Sequence, residues 1–333
     1  MPYTPKKVLV TGGCGFIGSC YVRMLLNRHP DIHVRNIDAL TYSGNPDNVA
    51  EVADSPNYEF IKGDIRDSEV VRQAVVGVDT IVHFAAEAQV DKSITGPEVF
   101  TTTNVLGTQV LLDMAREAGI SRFHYVSTDE IYGHLGKEGY FTEETPLAPN
   151  SPYSASKAGG DLLCRAYRRT YDFPVTVTRC SNNFGTFPRM DNLIPVLIGA
   201  ALADKPLPLY GDGQNVRDWL YVEDHCDAIH TVLTNATPGA VYNVGGRSER
   251  TNLEVAKAIL AELGKPESLI TFVQDRPGHD FRYAIDPSKI DSELGWTAQH
   301  SFEEALRTTV HWYRDNPEWV EAAKARATTT PAA

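Results

Sequence analysis

The segment V-L-V-T-G-G-C-G-F-I-G-S, residues 8–19, constrains this chain more than any other. A short apolar run stops at Gly12, Gly15 and Gly18, and a helix-like run follows. Glycines at that spacing let the backbone turn tightly and approach a pyrophosphate. The helix that follows offers unpaired N–H groups and the positive end of its dipole to the same anion. The spacing alone is moderate evidence; its place between a strand and a helix makes it a strong dinucleotide signature. Asp38 ends the next strand-like run, where an acid binds the adenosine ribose hydroxyls and repels a 2′-phosphate. NAD is therefore expected rather than NADP. Asp64 follows Phe60-Ile61-Lys62 and is a candidate for the adenine end, although alone it reads as a turn residue.

The first half of the chain alternates short apolar runs with longer amphipathic ones. Lys6–Thr11, His33–Asp38, Glu59–Lys62, Thr80–Phe84, Arg122–Ser127 and Val175–Arg179 read as strands. Phe16–Arg28, Ser68–Val76, Pro97–Ala118 and Ser154–Tyr171 read as helices. That rhythm implies right-handed βαβ units and a parallel sheet covered on both faces. After Cys180 prolines and turn signals become frequent. The expected class is α/β: a Rossmann-type doubly wound parallel sheet with a smaller, interleaved C-terminal α/β substrate domain. The NAD-binding part spans 1–180 and is completed by about 222–247, where Asp224–Thr234 reads as a helix and Ala240–Val244 as another strand of the main sheet. The substrate part spans 181–325, and 326–333 is expected to be a loose tail.

Two clusters carry candidate chemistry. In S-P-Y-S-A-S-K, Tyr153 and Lys157 are four apart, so on a helix they share a face. A cation beside the phenol favours phenolate and lets Tyr153 take a hydroxyl proton near neutral pH. Y-x-x-x-K alone is weak; behind a dinucleotide turn it gains force. Thr128, Asp129 and Glu130 follow the apolar run Tyr125-Val126, at the carboxyl end of a strand, where open α/β sheets bind ligands. Two adjacent carboxylates there are pushed toward different protonation states, one to donate a proton and one to accept it.

Composition excludes several classes. A formal net charge of -12 argues against a nucleic-acid partner, because phosphate backbones need clustered Lys and Arg. The cysteines number 5, with no C-x-x-C pair, so neither a disulfide framework nor a zinc site is expected, and a reducing cytoplasm fits. Val8-Leu9-Val10 is too short for a signal sequence, and no apolar run approaches the ~20 residues of a membrane span. Pro30 separates His29 from His33, and His225 and His230 lack the spacing for a shared face, so no metal is expected.

With T-G-G-C-G-F-I-G-S, N-I-D-A-L-T-Y-S-G-N, H-F-A-A-E, S-T-D-E-I-Y-G, Y-S-A-S-K, T-R-C-S-N-N-F-G, Y-G-D-G-Q-N-V-R-D-W-L-Y-V-E-D-H and D-R-P-G-H-D-F-R-Y, nearly the whole chain resembles the extended short-chain dehydrogenase/reductase superfamily. Within it the chain resembles the dTDP-glucose 4,6-dehydratase family. The T-D-E trio discriminates: related 4-epimerases lack the acidic pair, and related decarboxylases and GDP-mannose dehydratases usually keep only the Glu.

The resemblance implies roles. Thr128 and Tyr153 would hold the sugar O4 hydroxyl, with Lys157 supporting the tyrosine, Asp129 as general acid and Glu130 as general base. NAD would be lined by Gly12, Gly15, Phe16, Ile17, Gly18, Asp38, Leu40, Asp64, Ile65, Ala85, Ala86, Thr103, Tyr153, Lys157 and Asn183. The nucleotide sugar would meet Glu87, Thr128, Asn182, Asn192, Leu193, Pro208, Tyr210, Arg217, Asn252, Arg276 and His279. The reaction implied is transient C4 oxidation, loss of water across C5–C6 and reduction at C6, in a homodimer packed through Pro97–Ala118 and Ser154–Tyr171. The chain departs from the family at Ala88-Gln89, where Ser-His is usual, and at Asn192, where Lys is usual. These departures leave the sugar nucleotide open, with a UDP-sugar as the alternative to dTDP-glucose. Two other readings share the fold. A 4-epimerase or decarboxylase is opposed by Asp129 beside Glu130, and a non-catalytic NAD-binding protein by the intact Thr128, Tyr153 and Lys157.

Overall fold

A computed structural model describes residues 2–275 and 280–329. The strands are β1 Lys7–Thr11, β2 His33–Asp38, β3 Tyr58–Lys62, β4 Thr80–His83, β5 Arg122–Thr128, β6 Val175–Cys180, β7 Asn182–Phe184, β8 Leu207–Tyr210, β9 Val216–Tyr221, β10 Val241–Val244, β11 Glu249–Thr251 and β12 Ile270–Val273. β1 shows why its neighbours are parallel. Val8 and Val10 face a core shared with helices Phe16–Arg28 and Val222–Asn235. Leu9 faces the opposite core, shared with helices Thr108–Glu117 and Pro152–Tyr171. A strand apolar on both faces must be covered on both, and crossover helices do that.

The seven-stranded sheet runs β10-β6-β5-β4-β1-β2-β3, and each pairing in it is parallel. The chain winds outward from β1 to β3, then crosses back to place β4 on the other side of β1. A crevice opens at that switch point, beyond the carboxyl ends of the strands. Gly12 ends the β1 turn there with φ +71°, and a Cβ on it would lie 2.8 Å from the Ala85 backbone that follows β4. Only glycine meets both conditions.

After β6 the chain leaves the sheet. β11-β9-β7 and β12-β8 form two small sheets, packed with helices Leu193–Leu202, Asn252–Glu262 and Phe302–Asp315 around Leu197, Leu209, Ile259, Leu306 and Tyr313. Helix Val222–Asn235 returns to the main sheet, and β10 joins its edge beside β6.

Two expectations are corrected. The stretch 97–118 is not one regular helix. It runs as Pro97–Thr101, a π-helical turn Thr102–Gly107, and Thr108–Glu117. The tail is not loose from residue 326, because helix Pro317–Thr329 covers that position. Trp319 packs 5.0 Å from Trp312 and 5.6 Å from Phe187, and Arg326 Nε donates to the Gly44 carbonyl at 3.0 Å. Those contacts give the segment something to pack on; residues 330–333 lie outside the described residues.

Candidate active site

The switch point opens into a cleft of about 360 Å³, within the usual size of a ligand site. Gly12, Gly15, Phe16, Ile17 and Gly18 form one wall. Helix Phe16–Arg28 begins at Gly15 with no side-chain cap, so its first N–H groups are left to a ligand. Asp38 is 7% exposed, and its carboxylate accepts N–H bonds from Cys14 at 2.9 Å and Leu40 at 2.8 Å. Burial raises its pKa and these bonds oppose the rise. Leu40 itself does not line the cleft; its side chain packs on the core under the glycine helix. Asp64 is gripped by Arg66, Nη2 to Oδ2 at 2.6 Å; burial raises its pKa, but the Arg66 bonds outweigh that and hold it below the usual range. Ile65, Ala85, Ala86, Thr103 and Asn183 also line the cleft. Thr103 Oγ1 and Ser43 Oγ are buried there without a partner. A glycine cradle, an uncapped helix start, a fixed acid and orphaned hydroxyls fit a dinucleotide.

Thr128 ends β5 and caps the short turn Asp129–Tyr132, accepting the Glu130 N–H at 3.3 Å. Asp129 follows it into the interior, 2% exposed, with Oδ2 unpartnered. Burial raises its pKa well above the carboxylate range, the charges of Glu130 and Asp218 add to that, and Arg217 and Thr128 oppose. Burial thus favours the protonated form of Asp129, while Glu130 beside it is only half-buried. The sequence places Tyr153 in the first turn of helix Pro152–Tyr171, whose start is fixed by a Ser151–Ser154 capping box and Pro152. Lys157 lies one turn on, and both residues line the cleft.

One expected contact is absent from the arrangement. Lys157 Nζ donates to the Val126 carbonyl at 2.7 Å and sits 4.4 Å from the Tyr125 ring centroid. Burial lowers its pKa to about 8. The leading influences on Tyr153 are burial, Glu130 and Cys180, which raise its pKa well above 10.0, with Arg189 and Thr128 opposing. Lys157 is not among them.

On the remaining wall lie Glu87, Ala88, Asn182, Asn192 and Leu193. Glu87 is 3% exposed, and burial raises its pKa. Its backbone is clamped by Asn104, which accepts its N–H at 2.8 Å and donates to its carbonyl at 2.9 Å and to Ser156 Oγ at 2.8 Å. Four expected substrate residues do not line this cleft. Pro208 and Tyr210 are exposed because strand alternation in β8 turns Leu207 and Leu209 inward. Arg217 directs its guanidinium to the Val216 and Asp280 carbonyls, at 2.7 and 3.0 Å. Asn252 begins a helix and is buried with Oδ1 unpartnered. Arg276 and His279 lie outside the described residues.

Sequence reasoning passed over Asn104, Arg189 and Trp219, and weighed His225 only as a metal ligand. Arg189 and Trp219 line the cleft. His225 Nδ1 donates to Asn183 Oδ1 at 2.9 Å, and burial keeps its ring neutral with a pKa of about 3. Among the described residues no group of three or more His, Cys, Asp or Glu is arranged to hold a metal ion.

A dinucleotide turn at a β1/β4 switch point, with a Tyr–Lys helix passing over the end of β5, places the chain in the extended short-chain dehydrogenase/reductase class. A family model described as GDP-mannose 4,6 dehydratase matches residues 9–309. The chain is 50% identical, over 94% of both chains, to a dTDP-glucose 4,6-dehydratase of Xanthomonas campestris pv. campestris. It is 52% identical to a low-salt glycan biosynthesis protein of Haloferax volcanii, over 93% of this chain and 99% of that one. The solved structure of a dTDP-glucose 4,6-dehydratase from Streptomyces venezuelae with NAD bound matches with a TM-score of 0.93 and 50% identity, covering 95% of this chain and 99% of that one. The chain belongs to the dTDP-glucose 4,6-dehydratase family, within the group that the GDP-mannose 4,6 dehydratase model describes.

Proposed function

We propose that this protein is an NAD-dependent hydro-lyase that converts dTDP-glucose to dTDP-4-keto-6-deoxyglucose. The observation that carries the reading is the buried Asp129 carboxyl, whose pKa burial raises, beside the more exposed Glu130 and in one cleft with Tyr153. An epimerase has no use for such an acid–base pair; an elimination needs both.

NAD, held by the glycine turn and Asp38, would supply the redox chemistry, a hydride taken from C4 and returned to C6. Tyr153 removes the proton of the C4 hydroxyl, with the Thr128 hydroxyl at the same oxygen. Burial favours the protonated phenol; the Arg189 charge and the Thr128 hydroxyl act in the opposite sense. The C4 ketone acidifies the C5 proton, which Glu130 removes. Asp129 gives its proton to the departing C6 hydroxyl, and water leaves. Glu130 then returns its proton to C5 as C6 is reduced.

In this reading residues 1–180, with about 222–247, bind NAD, and 181–325 bind mainly the nucleotide sugar. The protein acts as a homodimer through the helices of 97–117 and 152–171, a reading supported by Leu106 and Leu162, exposed at 48% and 50% on them. It works in the cytoplasm, which suits five free, buried cysteines; among the described residues no helix is long and apolar enough to cross a membrane. A UDP-sugar is the second substrate reading, because Ala88 and Asn192 both line the cleft. Incubation with dTDP-glucose, UDP-glucose and UDP-GlcNAc, with products identified by mass and NMR, tests the proposal. A 4-keto-6-deoxy sugar from dTDP-glucose is expected; an epimer, a pentose or no product refutes it.

A further inference from the structure

The loop that follows β2 forms part of the cofactor side of the cleft. Thr41, Ser43 and Gly44 line it, just beyond Asp38. A Cβ on Gly44 would lie 2.5 Å from Asp38 Oδ1, so the loop folds back onto that carboxylate. Its far end is pinned to the glycine turn. The Asn45 N–H and the Asn48 Nδ2 both donate to the Cys14 carbonyl, at 2.9 and 3.0 Å. The Gly44 carbonyl is held from much farther away. Its donor is Arg326 Nε, at 3.0 Å, brought from 282 residues along the chain by helix Pro317–Thr329.

Arg326 does not line the cleft. It stands behind the loop, and its charge reaches Asp38 and Cys14. Burial raises the Asp38 pKa; the Leu40 and Cys14 N–H bonds, and then the Arg326 charge, oppose that rise. The helix is fastened at its other end as well. Trp319 packs on Trp312 and Phe187, and Val320 enters the core of the small sheets. The Arg23 guanidinium lies 4.2 Å from the Phe187 ring centroid, and Arg23 Nη1 donates to the Asn48 carbonyl. Both ends of the helix therefore lead back to residues 44–48.

Between those ends the packing is polar. A cavity of about 170 Å³ lies between helix and loop, with Phe16, Ser43, Asn48, Gln89, Trp319 and Arg326 in its lining. Ser43 Oγ, Asn48 Oδ1, Gln89 Oε1 and Trp319 Nε1 are buried with no hydrogen-bond partner. A closed core carries few such atoms. Packing of this kind opens at lower cost than the apolar cores beside it.

We propose that helix Pro317–Thr329 is a strap over the cofactor loop, and that Arg326 is a positioning residue that acts through Gly44 to hold NAD in its cleft. The proposal rests on the NAD reading of the cleft and not on the identity of the sugar nucleotide. It gives the strap a use. The hydride taken from C4 goes back to C6, so a cleft that released its cofactor between the two steps would strand the ketone. A loop fixed in advance spares NAD the cost of ordering it, and by linkage bound NAD holds the strap down by the same factor.

The test has two arms. In the first, amide hydrogen exchange of the wild type is compared with and without NAD. Bound NAD is expected to slow exchange in residues 41–45 and in 317–326 together. In the second, protein loaded with isotopically labelled NAD is diluted into unlabelled NAD, for wild type, R326Q and R326K. R326Q is expected to weaken NAD roughly 5- to 150-fold, the span of a typical coupling between sites, seen as faster loss of label. R326K recovers part of the loss, since an ammonium keeps a charged donor but not the fork. The cofactor-free forms of wild type and R326Q melt alike.

NAD that slows exchange in the loop and leaves the helix unchanged overturns the proposal. So does an R326Q that keeps its label as long as the wild type. So does an R326Q whose cofactor-free form melts as far below wild type as its loaded form, which marks a purely structural role. Should R326Q fail to fold, the exchange arm on the wild type decides alone. A wild type that binds no NAD overturns the NAD reading along with the strap, whereas NAD bound with the helix unprotected overturns the strap only.

Discussion

Asp129→Asn separates chemistry from stability at one atom. The amide keeps the shape of the carboxyl and cannot deliver a proton to the departing C6 hydroxyl. Loss of a positioned general acid typically costs 10²–10⁴ in rate, which is about 3–5 kcal/mol of barrier. C4 oxidation uses other groups, so NADH absorbance at 340 nm should still develop and then persist. Stability should move the other way. Asp129 is 2% exposed and its pKa is raised by burial, with Glu130 and Asp218 adding to it. A carboxyl whose folded pKa exceeds its unfolded value stabilises the fold below the unfolded pKa, and that contribution is lost as pH rises through the folded pKa. Each unit of the difference is about 1.4 kcal/mol. D129N has nothing to ionise there. It should therefore melt above the wild type at pH 8, and the two should converge as pH falls toward 4. The same proton should appear in wild-type activity, with dehydration falling as alkaline pH removes it. Thermal melts across pH, paired with single-turnover absorbance, check all three. Near wild-type turnover by D129N, or a melting difference that does not close at low pH, would refute the assignment of a protonated Asp129.

Tyr153→Phe should abolish C4 oxidation, by at least about 10²-fold, while the purified protein still releases NAD on denaturation; turnover close to wild type excludes Tyr153 as the base. Glu130→Gln should permit slow NADH formation while exchange of the C5 proton with solvent, followed by NMR in deuterated buffer, falls sharply; unchanged exchange removes Glu130 from that role. Gly12→Ala places a Cβ 2.8 Å from the Ala85 backbone at φ +71°. The left-handed conformation alone costs about 1–2 kcal/mol. This variant should lose NAD and melt lower, and retained cofactor in a fully stable protein contradicts the close approach.

Local chemistry wrote much of this protein into its sequence. The glycine turn, Asp38 and the Tyr153–Lys157 pair depend on spacings of a few residues along one strand end or one helix, and the structure brings all of them to one cleft. The main sheet was equally legible, because apolar runs such as Val8-Leu9-Val10 must be covered on both faces wherever they occur. Strand order, and with it the switch point, needed tertiary structure. So did the π turn of Thr102–Gly107, where Asn104 leaves the regular helix to clamp Glu87, a residue 17 positions away. The raised pKa of Asp129 depends on burial, on Glu130 beside it and on Asp218, far along the chain. Lys157 answers to Val126 more than to Tyr153, which shares its helix. Arg189 and Trp219 had no local pattern to announce them. A sequence records spacing along the chain, and so it reports contacts within one turn or one strand end. Which wall a loop cation faces, and which carboxyl loses its water, is decided only when distant segments pack together and exclude solvent.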